Sequence, residues 1–267
     1  MERGVSTLDS LVCKARRYVL LMAAYDPGIH LGSSISVLEI LTALYGTGRV
    51  KMNLANGVGD RNYFVLSKGH AVHAVYALAA AMGYLTIDEL RETGSLGSRL
   101  QNHPEVDTPF VDVPNSGSLG QGISLAVGIA LGLRLRGRSG RVYLVVGDGE
   151  LDEGQSWESF AVAAHYGLNN LVTIVDYNDV QLDGHSSEVL RKGDLAGRFK
   201  SLGFEVFEVN GHDVAEVASA LEKAEKSQRP AVIIAKTVRG RGVPPIEDTA
   251  RQRLSRDDAL KYASDTC

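Results

Sequence analysis

The chain has 267 residues, of which 44% are hydrophobic and 22% are charged, as in an ordinary globular protein with one sizeable core. Its net charge of −4 gives no support to nucleic acid or an anionic membrane surface as a partner. The two cysteines lie at opposite ends without metal-type spacing, and the charged N-terminal segment does not suit a signal peptide, so we expect a cytoplasmic protein with no membrane span.

Helices and short apolar strands alternate along the chain. In chain order we predict a helix over 36–45, a strand over 62–67, helices over 69–82 and 120–135, a strand over 141–148, a helix over 155–167, strands over 170–178 and 204–210, a helix over 213–227 and a strand over 230–237. The near-continuous apolar strands indicate a parallel sheet buried on both faces. The fold class is therefore α/β, a doubly wound parallel sheet with helices on both faces. We expect one domain over 1–267, with a charged, loosely held tail over 246–267.

Two of the predicted helices carry further signals. The helix over 36–45 opens on Ser36 and Glu39, which have the spacing of a capping box. The helix over 120–135 is apolar nearly all round and contains three glycines, although each costs a helix about 1 kcal/mol relative to alanine. They are Gly122, Gly128 and Gly132. Two interpretations remain open for these glycines: tight packing inside the domain, or a buried subunit interface.

An acidic cluster follows the apolar strand at 141–148. Asp148 stands between two glycines, and further acids follow within five residues: Glu150, Asp152 and Glu153. Asn178 closes the next strand, and adjacent parallel strands bring such ends together at the ligand-binding edge of the sheet. Their oxygens, with a backbone carbonyl just past Asn178, suit Mg²⁺ or Ca²⁺. The cluster thus predicts a metal bridged to a di- or triphosphate; the alternative is a solvated acidic loop that caps the helix at 155.

The spacing of GDG, 28 further residues and then Asn178 resembles the motif of thiamine diphosphate enzymes. Six longer blocks resemble those of transketolases, in the family's order. They are HLGSSIS (30–36), GDRNYFVLSKGHA (59–71), SRLQNHPE (98–105), NSGSLGQGISLAVGIALG (115–132), GDGELDEGQSWE (147–158) and AVIIAKTVRGRGV (231–243). The chain therefore resembles the N-terminal, diphosphate-binding half of transketolase as a free-standing subunit, which implies the thiamine diphosphate-binding fold.

The resemblance implies a cofactor and a metal. Asp148, Asn178 and the backbone carbonyl of Val180 would hold Mg²⁺, which neutralises the diphosphate of thiamine diphosphate. The cofactor pocket would include Ser33, Lys68, His70, Gly117, Ser118, Leu119, Gly149, Glu150, Asn178 and Lys236. Within it, the backbone at 117–119 would reach the aminopyrimidine, and Lys236 would offer a charge that suits a diphosphate.

The resemblance also assigns catalytic roles. His70 would lie by the cofactor diphosphate, while His30 and His103 would face the hydroxyls and the oxyanion of the substrate. Imidazole suits this work because it can donate or accept a hydrogen bond near neutral pH. Glu153 matches a glutamate at the subunit interface of the family, linked by hydrogen bonds to the activating glutamate of the partner.

The implied reaction is the transfer of a two-carbon ketol unit from a ketose or ketose phosphate donor to an aldose or other acceptor. The activating glutamate belongs to a pyrimidine-binding domain that this chain lacks, so we expect it to be active only with a C-terminal transketolase subunit, in two copies each. Three alternatives stay open. They are a specialised pathway with an acceptor bound to an acyl-carrier-like protein, the α-subunit of a 2-oxoacid dehydrogenase, and a non-catalytic binding or regulatory subunit.

The chain departs from the transketolase pattern around the substrate channel. No histidine follows His212, so the usual W-H-G stretch is missing, and Arg251, Arg253 or the partner would cover that corner. The usual L-Q-G-H reads L-Q-N-H, with Asn102 before the histidine, and His73 replaces a small residue or proline. The usual G-H-P-G reads I-H-L-G. These changes leave the cofactor assignment intact and bear on the identity of the donor and acceptor.

Overall fold

A five-stranded parallel sheet forms the centre of the protein. The computed structural model describes residues 2–52, 59–106, 108–113, 116–251 and 253–266. The strands are β1 (Tyr63–Leu66), β2 (Val142–Gly147), β3 (Leu171–Tyr177), β6 (Glu205–Asn210) and β7 (Ala231–Lys236), and a two-residue hairpin is formed by β4 (Val180–Gln181) and β5 (Gly184–His185). The sheet order is β1-β2-β3-β7-β6, and every neighbouring pair is parallel. The predicted parallel sheet is confirmed.

Helices cover both faces of this sheet. They are α1 (Glu2–Tyr25), α2 (Leu31–Ser36), α3 (Leu38–Tyr45), α4 (Val72–Ala81), α5 (Ile87–Arg91), α6 (Gln121–Leu135), α7 (Gly154–His165), α8 (Ser186–Val189), α9 (Leu195–Leu202), α10 (Val214–Glu225) and α11 (Arg256–Asp265). One apolar core lies between the sheet and α1 to α4, α10 and α11. A second core lies between the opposite face and α6, α7 and α9. The doubly wound α/β prediction is therefore confirmed.

The apolar strands alternate between these two cores. In β2, Val142, Leu144 and Val146 face α6 and α7, whereas Tyr143 and Val145 face the other layer. Successive side chains of a strand point to opposite faces, so a strand with a helix layer on each side must be apolar at every position. This double burial explains the continuous apolar runs of the sequence.

The capping box predicted at Ser36 and Glu39 is wrong. Ser36 ends α2, and α3 begins after Val37 without any side-chain cap. The Ser36 hydroxyl instead donates to the Asp176 carboxylate at 2.6 Å, and Glu39 accepts from Arg16 at 2.9 Å. Both polar groups are buried, so hydrogen bonds to distant residues satisfy them in place of the local helix end.

The three glycines of α6 divide between the two interpretations. A Cβ at Gly122 would lie 2.7 Å from the Cα of Ser67, so this glycine allows the helix to approach the backbone that follows β1. A Cβ at Gly128 or Gly132 would meet no described residue within 4 Å, and Leu125 on the same helix is 46% exposed. Tight packing therefore explains Gly122, whereas Gly128 and Gly132 lie on an open face.

The C-terminal segment from residue 246 returns to the body of the protein. Ile246 is buried, and α11 packs against α1 through Ala259 and Ala263. Residues 252 and 267 of the predicted tail lie outside the described residues. In the described part of the chain, no helix combines the length and the apolar content that crossing a membrane requires.

Candidate functional site

A cavity of about 300 Å³ opens where β1, β2, β3 and β7 end at their carboxyl edge. This is the edge at which open parallel sheets bind ligands. Twelve of the predicted site residues line it: His30, Ser33, Lys68, His70, His103, Gly117, Leu119, Asp148, Gly149, Glu150, Asn178 and Val180. Three predicted residues do not line it, namely Ser118, Glu153 and Lys236. The folded chain thus brings together residues that are up to 150 positions apart in sequence.

The predicted metal ligands meet where β2 and β3 end. Asp148 directly follows β2, and Asn178 directly follows β3. Asp179 adopts a positive φ of 56°, and its backbone N–H donates to the Asp148 carboxylate at 2.9 Å. The turn continues into Val180, whose N–H donates to the Asn178 amide oxygen at 3.1 Å. The turn thereby holds the Asp148 carboxylate and the Asn178 amide oxygen close to Val180, and all three residues line the same cavity.

The chemistry of this donor set fits a divalent cation with a preference for oxygen. Burial raises the pKa of Asp148 to about 6, and the like charge of Asp176 adds to this effect against Lys192 and Lys68. A cation would offset that cost by stabilising the ionised carboxylate. Among the described residues, no cluster of three His, Cys, Asp or Glu side chains could hold a metal, so a site here would draw on amide and backbone oxygens as well.

A buried ion pair forms the floor of the cavity. The Lys68 ammonium contacts the Asp176 carboxylate, and both side chains are at most 1% exposed. Ser36 and Thr237 also donate to Asp176, as does the Asn178 amide at 3.3 Å. Burial alone would raise the pKa of Asp176, but the Lys68 charge and these hydrogen bonds outweigh it, and the pKa is lowered. Sequence reasoning missed Asp176, although an ionisable residue inside an apolar strand was a usable signal.

Three imidazoles form one wall of the cavity. The ring centroid of His30 lies 5.2 Å from that of His70 and 5.8 Å from that of His103. Burial, followed by the charges of neighbouring basic groups including Arg239 and Arg253, lowers the pKa of His30 to about 4. Burial likewise holds the pKa of His70 well below its ordinary range and lowers that of His103. At pH 7 the wall is therefore neutral and can both donate and accept hydrogen bonds.

The segment after β7 adds a second cation to the cavity beside Lys68, and this cation is Arg239 rather than Lys236. Arg239 lines the cavity, is buried, and donates to the Ser33 hydroxyl at 2.6 Å. Lys236, predicted in the cofactor pocket, ends β7 with its side chain 63% exposed and pairs with Glu208 at 3.2 Å. The AKTVRGRGV block carried a signal for this, because Arg239 holds the second basic position of the family's A-K-T-x-K-G-x-G pattern. Of these two basic residues of the block, Arg239 lines the cavity and Lys236 does not.

A buried histidine holds the loop that carries Arg239. The His212 ring accepts from the Val238 backbone N–H at 2.7 Å through Nε2, so its proton is on Nδ1, which lies 3.2 Å from Glu39. Glu39 in turn accepts from Arg16. The His212 ring thus connects Glu39 to the backbone next to Arg239.

Replacing His212 with alanine is expected to lower the free energy of unfolding by about 1 kcal/mol, because the Val238 backbone N–H next to Arg239 loses its acceptor. Urea unfolding of the variant and of the wild-type chain measures this change. His165→Ala, an exposed position on α7, is the matched control and should unfold like wild type. Equal stability of the two variants would show that the loop holds its position without His212.

The acids after Asp148 have separate roles. Glu150 is 1% exposed and accepts from the backbone N–H groups of Gly120 at 2.8 Å and Gly147 at 3.3 Å, so it ties the 117–120 loop to the end of β2. Asp152 accepts from Gln181 and Lys192. The alternative of a solvated acidic loop is therefore wrong for Asp148 and Glu150. Ser118 and Glu153 are exposed beside the cavity, where a partner could reach them.

Comparison with known proteins agrees with this geometry. Residues 12–257 match the family "Transketolase, thiamine diphosphate binding domain". An apulose-4-phosphate transketolase subunit of Actinobacillus succinogenes is 37% identical over 246 residues, which cover 90% of this chain and 88% of that protein. The "6-deoxy-6-sulfo-D-fructose transketolase subunit SqwG" of a Clostridium species is 38% identical over 216 residues, covering 80% and 78%.

Solved structures show the same similarity. A transketolase mutant from Pichia stipitis superposes with a TM-score of 0.88 at 29% identity, covering 96% of this chain and 40% of that one. The Campylobacter jejuni transketolase gives 0.85 at 27% identity, covering 96% and 42%. The chain thus spans about two fifths of the length of these solved transketolases. The resemblance read from the sequence blocks is confirmed, and the chain belongs to the transketolase family, as a thiamine diphosphate-binding domain of that family.

Proposed function

We propose that the protein is the thiamine diphosphate-binding subunit of a two-component transketolase. The assembled enzyme transfers a two-carbon ketol unit from a ketose or ketose phosphate donor to an aldose or other acceptor. The observation that carries this proposal is the cavity that joins the oxygen ligands of Asp148, Asn178 and Val180 to three neutral imidazoles. The relatives named above act on sugar derivatives by their names, so an acceptor bound to a carrier protein is not favoured.

In this proposal each group of the cavity has one task. Asp148, Asn178 and the Val180 carbonyl hold Mg²⁺, and Lys68 and Arg239 add positive charge where the cofactor diphosphate would bind. Thiamine diphosphate, when bound, supplies the means to cleave and form a carbon–carbon bond beside a carbonyl.

The histidine wall handles the substrate. His30 and His103 bind the hydroxyls and the carbonyl oxygen of the sugar, and their lowered pKa values keep both rings neutral at pH 7. A neutral ring can donate to an oxygen on which negative charge develops and accept from a hydroxyl. His70 packs beside His30 in the cavity that Lys68 also lines, and it orients the diphosphate end.

The partner is a C-terminal transketolase subunit with a pyrimidine-binding domain. Two observations support it: the relatives are called subunits, and α6 leaves Gly128, Gly132 and Leu125 on an open face. We propose a heterotetramer with two copies of each chain. Glu153 would lie at that interface and contact the partner's activating glutamate. We also propose that the enzyme works in the cytoplasm.

Reconstitution tests this function. The tagged chain is purified from its native cell with Mg²⁺ and thiamine diphosphate present, and the bound polypeptides are identified by mass. We expect a pyrimidine-binding subunit, no turnover of fructose 6-phosphate by either of the two chains alone, and ketol transfer by the mixture. Full activity of this chain alone, or no partner and no transfer, would overturn the proposal.

Glu153→Gln is expected to lower the activity of the reconstituted enzyme by about 100-fold or more, because the partner's activating group loses a positioned carboxylate. Assembly itself should persist, as measured by the mass of the complex. Glu158→Gln, an exposed glutamate further along α7, is the matched control and should keep its activity. Equal rates in the two variants would remove Glu153 from the proposed mechanism.

A further inference from the structure

A hydrogen bond joins two positions at which the chain departs from the family blocks. His73 Nε2 lies 2.9 Å from the side-chain oxygen of Asn102. His73 stands in the first turn of α4 and is fully buried, and Asn102 directly precedes His103 of the cavity wall. The residues common in the family at these positions, a small residue or proline and a glycine, could not form this bond. The two departures are therefore one structural feature.

The donor and the acceptor of this hydrogen bond can be assigned. An amide oxygen can only accept, so His73 donates from Nε2 and carries its single proton there. Its Nδ1 is buried and has no hydrogen-bond partner in the described part of the structure. Burial lowers the pKa of His73 to about 4, against smaller opposing effects from Asn102 and Asp26, so the ring is neutral at pH 7. His73 thus acts as a fixed donor rather than as a charge.

Asn102 brings the segment that carries His103 into contact with the turn that precedes His30. A Cβ at Gly28 would lie 3.3 Å from the Asn102 amide nitrogen, so the asparagine packs against the turn that leads into His30. The Gly28 N–H donates to Asp26 at 2.7 Å, which closes this turn.

Helix α4 holds the Asn102 segment at a second point. The Tyr76 hydroxyl donates to the Gln101 carbonyl at 3.1 Å, one residue before Asn102. The rings of His73 and Tyr76 also meet edge to face at 5.8 Å. Two neighbouring side chains of one helix therefore fix the backbone that leads into His103.

We propose that His73 and Asn102 are positioning residues that set the separation of the His30 and His103 rings and thereby select the sugar substrate. The inference rests on the proposed function, since it assigns the wall of that same site. Within the described structure, neither residue lines the cavity, and neither contacts Asp148 or Asn178. Their effect therefore falls on the sugar and leaves the cofactor diphosphate unaffected.

The first test uses the full chain without activity. In a sample with ¹⁵N-labelled histidine, His73 should show a protonated Nε2 and an unprotonated Nδ1. Asn102→Gly should shift the ring signals of His30 and His103, and leave those of His212 unchanged. His73→Gln keeps a donor at the same distance along the side chain and should preserve the wild-type signals. A protonated Nδ1 on His73, or unmoved His30 and His103 signals in Asn102→Gly, would overturn the positioning role whatever the enzyme's reaction.

The second test uses the assembled enzyme with fructose 6-phosphate as donor. Asn102→Gly and His73→Ala should each raise KM by about ten-fold with a smaller change in kcat, because the wall is displaced and not removed. The double variant should be no worse than either single one, as for two groups that act through one bond. His73→Gln should recover most of the wild-type KM, and thiamine diphosphate affinity should stay within about two-fold throughout.

Two outcomes of the second test count against the inference. Effects that multiply in the double variant would show that the two residues act separately. A loss of cofactor affinity equal to the rise in KM would show a general loosening of the fold. If the wild-type assembly itself fails to use any sugar donor, the proposed function fails, while the histidine spectra still decide whether His73 and Asn102 position the wall.

Discussion

Replacing Asp148 with alanine is expected to lower the activity of the assembled enzyme by about 1,000-fold. Asp148 is the one anionic group among the three proposed metal ligands, and the turn formed by Asn178 and Val180 is organised around its carboxylate. Without it the cavity retains the positive charges of Lys68 and Arg239 but loses the ligand that would hold Mg²⁺ against a diphosphate. A metal that stabilises charge in a reaction contributes several kcal/mol, which corresponds to the expected factor.

Calorimetric titration of Mg²⁺ and thiamine diphosphate shows whether the loss of activity comes from weaker metal and cofactor binding. The Asp148→Ala variant should show weak or absent metal-dependent binding, with its secondary structure retained by circular dichroism. Asp152→Ala is the matched control, because Asp152 belongs to the same acidic cluster but does not line the cavity. It should stay within a few-fold of wild type. Unchanged Mg²⁺-dependent cofactor binding in Asp148→Ala would refute the proposed metal site.

Replacing Asp176 with alanine is expected to destabilise the protein by about 3–5 kcal/mol, because it leaves the Lys68 ammonium buried without its counterion. Ser36 and Thr237 lose an acceptor as well. Since a domain of this kind is stable by only about 5–15 kcal/mol, the variant should unfold at a clearly lower urea concentration.

Two further variants make the stability prediction specific. Thr173→Val on the same strand removes a buried hydroxyl that has no partner among the described residues, so it should be neutral or slightly stabilising. Lys68→Met combined with Asp176→Leu removes both charges and should recover much of the lost stability, although not the function. If Asp176→Ala unfolds at the same urea concentration as wild type, the ion pair contributes little to the fold.

The layout of the fold followed from the sequence because it depends on local patterns. Strands buried on both faces must be continuously apolar, so β2, β3 and β7 could be found without knowledge of their partners. The proposed metal ligands could be named for a related reason: Asp148 and Asn178 are polar residues placed directly after their strands, and parallel strands end at one edge.

What the sequence could not show depends on contacts between distant segments. Ser36 and Glu39 have the spacing of a capping box, yet their partners lie 140 and 23 positions away, at Asp176 and Arg16. Lys236 and Arg239 stand three positions apart, and only the end of β7 and the turn after it decide which one reaches the cavity. No local sequence pattern identifies a hydrogen-bond partner in a distant segment. The sequence offers only indirect signals of such contacts, namely ionisable residues inside apolar strands and departures from the family blocks.

Helix α6 has an inner side that is tightly packed and an outer side that is open. On its inner side, Gly122 touches the backbone at Ser67, and the Ser67 hydroxyl donates to Glu150, which holds the 117–120 loop. A methyl group added at Gly122 would therefore displace Ser67 and, through Glu150, this loop. On its outer side, a Cβ at Gly128 or Gly132 would have no neighbour within 4 Å among the described residues. In the proposed assembly, mutations on the outer side would change which subunit the chain recognises and leave the cavity intact. A cell with several split enzymes of this kind could then keep their subunits from mixing through a few residues of this one surface.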